Sequence, residues 1–257
     1  MDYLFIPLVS ALASLLTFFS GFGLGTLLTP VFAIFFSVEL AIGLTAIVHF
    51  FNGLFKLSLV GRYVDKTILL RFGLPAILAA LAGAWVLSLL SDLKPLFSYS
   101  INNHEFYVSP LKLILGVLIA MFTLFELIPK LRDVEFDKRY LSVGGFISGF
   151  FGGLSGHQGA LRSAFLSRSG LTKEQFVGTG TAISVMIDIA RLSVYSKSLS
   201  SGSIINNLPL LGITTLSAFS GAYFGNKLLK KMTMKTVQLF VSFSLFLLAI
   251  ALAAGLI

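Results

Sequence analysis

Three groups of polar side chains stand inside otherwise apolar stretches of this chain: His49, Asn52 and Lys56; His157, Gln158 and Arg162; and Asp188 with Arg191. Charge in apolar surroundings is expensive, so such groups are paired or functional. The embedded cations Lys56, Arg162 and Arg191 outnumber the one embedded carboxylate, Asp188, and that imbalance favours an anionic ligand. Arg162 is the strongest anchor. It closely follows a glycine-rich turn, has no carboxylate nearby in sequence, and offers a planar fork that keeps its charge. Asp188 and Arg191 are three apart and share a helix face, either at a ligand or as a structural ion pair. Lys56 and Arg191 can also snorkel toward an interface.

Two glycine-rich stretches, Ser20-Gly-Phe-Gly-Leu-Gly25 and Gly152-Gly-Leu-Ser-Gly-His-Gln-Gly159, permit tight turns. A half-helix that starts at such a turn aims free N–H groups and its dipole at one point, which suits an anion without any charged side chain. Close packing is the alternative, since Gly145, Gly149 and Gly153 form a small-xxx-small series. The set expected to hold the anion is Gly23, Gly25, Thr26, His49, Asn52, Lys56, Gly156, His157, Gln158, Gly159, Arg162, Asp188 and Arg191.

Other chemistries fit poorly. The chain has no cysteine, and His49, His104 and His157 are isolated, so no metal-ligand spacing exists and no metal or other cofactor is expected. Gly21-Phe-Gly-Leu-Gly25 lacks the Lys-Ser/Thr of a phosphate-binding loop. Gly153-Leu-Ser-Gly156 resembles the nucleophile turn of an intramembrane serine protease. That chemistry needs a general base from a distant helix, and no histidine follows His157. The chain is not expected to be an enzyme.

The elements that must position these groups are membrane helices. Of 257 residues 56% are hydrophobic and 12% charged, about half the charge of a soluble domain. The apolar residues fall into ten segments, near 4–19, 22–36, 40–60, 68–90 and 110–128, then 141–151, 158–166, 175–195, 204–228 and 234–257. The start has no basic stretch before its apolar run, so it is read as mature protein and not as a cleaved signal.

The two sets of five resemble each other in order. Ala41-Ile-Gly-Leu-Thr-Ala46 matches Val177-Gly-Thr-Gly-Thr-Ala182, Leu74-Pro75 matches Leu208-Pro209, and Ala82-Gly-Ala-Trp85 matches Ser220-Gly-Ala-Tyr223. This predicts an all-α polytopic membrane protein. A first repeat over 1–132 and a second over 133–257 share one membrane domain, each a Gly-broken helical hairpin plus three transmembrane helices.

Charge orients the repeats. If each Gly-broken pair returns to its starting side, 13 of the 19 Lys and Arg fall on one face, Lys94, Lys112 and Lys197 on the other, and Lys56, Arg162 and Arg191 within segments. If each pair were a straight span, the basic residues would divide almost evenly. The positive-inside rule therefore prefers hairpins, external termini and mutually inverted halves. The same rule accounts for the net charge of +8 without nucleic acid.

Around the turns the chain resembles the TauE/SafE family of membrane permeases. The resemblance rests on Gly21-Phe-Gly-Leu-Gly-Thr-Leu-Leu-Thr-Pro30 with Ala41-Ile-Gly-Leu-Thr45. A second copy follows in Gly149-Phe-Phe-Gly-Gly-Leu-Ser-Gly156, Gly159, Leu171-Thr-Lys-Glu174 and Gly178-Thr-Gly-Thr181. It departs from the family pattern at His157-Gln158 and in lacking a proline over 162–165. The resemblance implies a secondary transporter, an exporter of sulfite or an organosulfonate across the cytoplasmic membrane. An anion channel and a protease using Ser155 are the alternatives. Expected partners are the small anion, the lipid bilayer, a coupling proton or ion carried by His157 or Asp188, and a second copy as a homodimer. Nucleic acid is not expected.

Overall fold

The computed structural model describes residues 2–20, 23–101, 104–128, 130, 134–198, 201–228 and 235–256. The chain begins with a lopsided hairpin, α1 (Asp2–Ser20) and α2 (Leu24–Ala33), then runs through α3 (Val38–Val60) and α4 (Lys66–Ser91). A short antiparallel pair, β1 (Phe97–Ile101) and β2 (His104–Val108), leads into α5 (Pro110–Leu127). The second half repeats the order: α6 (Leu141–Ser155), α7 (Gly159–Leu166), α8 (Lys173–Ser198), the short α9 (Ser201–Asn206), α10 (Leu208–Leu228) and α11 (Lys235–Ala253). The expected break between repeats, 132/133, and Gly21 of the first turn lie outside the described residues.

Local chemistry sets several ends. Asp65 caps α4 by accepting from Ile68 N at 2.9 Å, and Ser109 accepts from Lys112 N before Pro110 opens α5. A reciprocal capping box starts α8. Thr172 Oγ1 accepts from Gln175 N at 3.2 Å, and Gln175 Oε1 accepts from Thr172 N at 3.0 Å. Gly156 ends α6 at φ 81°, a left-handed conformation that a Cβ would strain.

Among the described residues, four helices are long and apolar enough to cross a membrane: 38–63, 66–91, 173–196 and 208–227. The arms of the broken hairpins are not matched in length. In the second hairpin α6 has 15 residues and α7 has 8, which is roughly 22 and 12 Å at helical rise, so neither reaches across about 30 Å of hydrocarbon. In the first, α1 has 19 residues and α2 has 10. The large exposed hydrophobics, such as Leu78, Trp85 and Leu216 at 60% or more, suit contact with lipid tails.

One element departs from the all-α expectation. β1 and β2 pair from Phe97↔Val108 to Ile101↔His104, with Tyr99 stacked on Phe106. Tyr99 Oη donates to Ala254 O at 2.6 Å, so the pair is fastened to the end of α11. Phe-Ser-Tyr-Ser-Ile alternates with the period of a strand, and the connection between α4 and α5 satisfies its backbone this way.

Small residues bring the helices close. α6 lies on α4 so tightly that a Cβ at Gly145, Gly149 or Gly153 would fall 2.1, 2.2 and 2.1 Å from the carbonyl oxygens of Phe72, Ala76 and Ala80. α1 meets α10 in the same manner. A Cβ at Gly83 of α4 would lie 2.0 Å from Phe150 O, and one at the matching Gly221 of α10 would lie 2.0 Å from Ala11 O. In the second glycine run Gly145, Gly149 and Gly153 pack against α4, and Gly156 makes the turn. α3 and α8 cross at the centre and carry the polar side chains between them.

Candidate functional site

Two polar stripes face each other. On α3, Thr45, His49, Asn52 and Lys56 recur at intervals of four, three and four; on α8, Thr181, Ser184, Asp188 and Arg191 recur at three, four and three. These spacings hold each set on one helix face. The stripe positions of α3 are all buried: Lys56 is 8% exposed and the others less.

At the centre His49 Nδ1 lies 2.6 Å from Asp188 Oδ2. The other carboxylate oxygen, Oδ1, accepts from Arg191 Nε at 2.9 Å and lies 2.8 Å from its Nη2. An ionised carboxylate only accepts, so His49 carries its proton on Nδ1 and turns Nε2 away, toward Gly23. Asp188 and Arg191 are fully buried and neutralise each other. The two side chains form an ion pair. Arg191 also braces the turn, because a Cβ at Gly156 would lie 2.9 Å from its Nη1.

On one side of this cluster lies a cavity of about 40 Å³ open to the centres of water molecules. At roughly 10–15 Å³ per water it holds about three, the size of a small tetrahedral oxyanion. His49, Asn52, Lys56, Arg162 and Gly23 line it, with Thr17, Phe18, Thr181 and Ser184. Arg162 Nη1 donates to Ser184 Oγ at 2.5 Å and to Gln158 Oε1 at 3.3 Å. Lys56 Nζ sits 5.4 Å from the centre of the Phe18 ring. Asn52 Oδ1 accepts from Ser14 Oγ at 3.2 Å, which fixes the amide. Arg162 and Lys56 are the charged groups of the lining, and no carboxylate is among the described lining residues. The first turn of α2 starts at the rim with Gly23 and Leu24, so its free N–H groups add to the positive potential.

The remaining expected residues lie at the turns. Gly156 O approaches α2, 3.4 Å from where a Cβ of Gly25 would be and 3.8 Å from that of Gly23. Thr26 is buried and its N–H bonds to Gly23 O at 3.1 Å. Gly159 opens α7, and Gln158 is fully buried with its carbonyl accepting from Ser148 Oγ. His157 is not beside Arg162. It lines a second, smaller cavity with Thr29, Pro30, Ser155, Leu115 and Leu252.

Thr17, Phe18, Thr181 and Ser184 line the cavity without being among the expected residues. The two stripes were the available signal for Thr181 and Ser184: a hydroxyl that continues the helical spacing of buried charges belongs to the same face. Thr17 and Phe18 gave no comparable signal.

A family model described as "Sulfite exporter TauE/SafE" matches residues 6–252, nearly the whole chain. No curated protein and no solved structure matches it.

Proposed function

We propose, from the premise that the chain belongs to the sulfite exporter TauE/SafE family, that it is a secondary transporter exporting sulfite or an organosulfonate across the cytoplasmic membrane. The single observation that carries the substrate class is the cavity whose lining holds Lys56 and Arg162 and no described carboxylate. A sulfonate is a compact tetrahedral group with three acceptor oxygens. The Arg162 fork, the Lys56 ammonium and the N–H groups of the α2 rim offer donors from three directions.

The two halves read as inverted repeats, 1–132 and 133–257. α4 packs on α6 as α10 packs on α1, and α4 meets α8 as α10 meets α3. With the basic asymmetry placing both termini outside, the Lys56–Arg162 cavity opens toward the cytoplasm and the His157 cavity lies on the external side. A transporter is favoured over a channel, because the contact of Gly156 O with Gly25 stands between two separate cavities. A protease is disfavoured by the direction of its hydrogen bonds. Ser155 Oγ donates to Phe151 O, and His157 Nδ1 faces the Ser155 carbonyl, which only accepts. That imidazole nitrogen therefore carries a proton and has no lone pair for the serine.

Reconstituted vesicles loaded with sulfite, methanesulfonate, sulfate or chloride test the reading. Saturable efflux of sulfite or methanesulfonate at up to about 10³ per second per protein is expected. Ohmic, unsaturable flux would give the channel, and no flux of any of these anions would end the proposal.

A further inference from the structure

The Lys56–Arg162 cavity contains one nitrogen that the charge argument does not use. His49 lines the cavity, and its side chain is 8% exposed. Its Nδ1 is taken up by Asp188 Oδ2 at 2.6 Å. Nε2, on the other edge of the ring, lies 3.6 Å from where a Cβ of Gly23 would be, at the α2 rim. Among the described residues nothing hydrogen-bonds this nitrogen. The polar atoms that are sealed from water without a partner include Thr17 Oγ1 and His157 Nε2, but not His49 Nε2. His49 Nε2 is therefore open to a space that water enters.

The groups behind the ring fix where its proton sits. Asp188 is ion-paired with Arg191 at 2.8 Å, and a carboxylate in such a pair only accepts. Nδ1 must donate to it. Lys56 of α3 and Arg162 of α7 already place two cations in the lining, and a third would repel both. α1 and α2 bring Thr17, Phe18, Gly23 and Leu24 to the lining, none of them charged. The imidazole is thus neutral, with its hydrogen on Nδ1 and a bare lone pair on Nε2.

That lone pair sorts anions by whether they carry a hydrogen. The Arg162 fork, the Lys56 ammonium and the N–H groups of the α2 rim all donate. Nε2 is a fixed acceptor among them. A sulfonate has only acceptor oxygens, so it satisfies the donors and sets an oxygen lone pair against the nitrogen lone pair. An oxyanion that keeps one O–H satisfies both kinds of group. Its bare oxygens accept from the cations, and its hydroxyl donates to Nε2. Hydrogen sulfite in its hydroxyl form, HO–SO2⁻, is such an anion. Glycine at position 23 leaves the room in front of Nε2 that the hydroxyl needs.

We propose that His49 Nε2 is a specificity-determining acceptor of the anion site, which prefers a singly protonated oxyanion to an aprotic sulfonate. This rests on the anion-transport reading and narrows it. Sulfite is then bound as hydrogen sulfite, and its proton is part of the substrate. A site that hydrogen-bonds a substrate hydroxyl rejects the analogue without one, because its own polar group is left unpaired.

Methylphosphonate and methanesulfonate test this as an isosteric pair. In mildly acidic buffer each is tetrahedral, with one methyl group and one negative charge, and only the phosphonate has an O–H. Calorimetric titration of the purified full chain is expected to give methylphosphonate a dissociation constant about 10- to 100-fold below that of methanesulfonate. Equal constants, tighter methanesulfonate, or failure of both while sulfite binds would overturn the inference and leave the anion reading standing. Absence of binding by all three would overturn both. His49→Asn keeps an N–H donor for Asp188 and deletes Nε2, so the ratio should fall to within about threefold of one. Gly23→Ala is a second variant in case the first does not fold. Its Cβ meets nothing nearer than 3.6 Å, so the backbone is undisturbed, while the methyl stands in front of Nε2. It should lower the ratio as well. A wild-type ratio in either variant overturns the assignment to Nε2.

Discussion

His49 and Asp188, 139 positions apart in the chain, meet at 2.6 Å and tie the middle of α3 to the middle of α8. Asp188 is also the partner of Arg191, whose guanidinium is completely buried. Removing the carboxylate charge leaves a buried cation uncompensated. Breaking a buried pair in this way costs about 3–5 kcal/mol, more than the pair itself contributes relative to neutral groups. Asp188→Asn is therefore expected to lower the melting temperature of the purified protein sharply, and Asp188→Asn with Arg191→Gln to recover much of the loss. A single variant that melts with the wild type would show that the cluster is not what holds α3 against α8.

Arg162 makes a separate prediction, because it faces the cavity. Its Nη1 is engaged by Ser184 and Gln158, which aim the fork rather than neutralise it. A charge-assisted hydrogen bond is worth roughly 1.5–3 kcal/mol, so Arg162→Ala should weaken sulfite binding by about 10- to 100-fold. Arg162→Lys keeps charge without the fork and should lose less. If Arg162 only anchors α7, the alanine variant would melt earlier while its dissociation constant stays within about threefold. Calorimetry and thermal melting on one preparation separate the outcomes.

The charges at the centre were legible because a charged residue in a long apolar run has few reasons to be there. His49, Asn52, Lys56 and Arg162 all reach one cavity. Adjacency in sequence was the weaker guide. His157 stands five residues before Arg162, yet the two face different cavities, since the backbone reverses at Gly156 between α6 and α7. Nothing in composition reports such a reversal in direction. The β1–β2 pair was equally hidden. Its strands have five residues each and lie in a connection whose overall polarity reads as loop.

The glycines give a contrast between close and open positions. A Cβ at Gly149 would stand 2.2 Å from Ala76 O, a backbone atom that cannot move without displacing α4. At Gly212 of α10 a Cβ would meet nothing within 4 Å. Gly149→Ala should therefore cost folded yield and melting temperature. Gly212→Ala should be neutral or stabilising by up to about 1 kcal/mol, through the lower backbone entropy of alanine in a helix. Equal melting of the two variants would contradict the packing of α6 on α4.

Topology is open to a direct test because the chain has no native cysteine, so any thiol introduced is the only one. Ser98 is exposed on β1, and Ser142 is exposed in the first turn of α6, where its hydroxyl donates to Arg71 O at 3.2 Å. Inverted halves place Ser98 outside and Ser142 in the cytoplasm, with most of the basic residues near the latter. In intact cells a membrane-impermeant maleimide should label Ser98→Cys, and label Ser142→Cys only after permeabilisation. Both substitutions are small and at exposed positions, so loss of fold should not mask the result. Labelling of Ser142→Cys from outside would mean that the second hairpin enters from the same face as the first. The Lys56–Arg162 cavity would then lose its assignment to the cytoplasmic side, and with it the outward direction of anion movement.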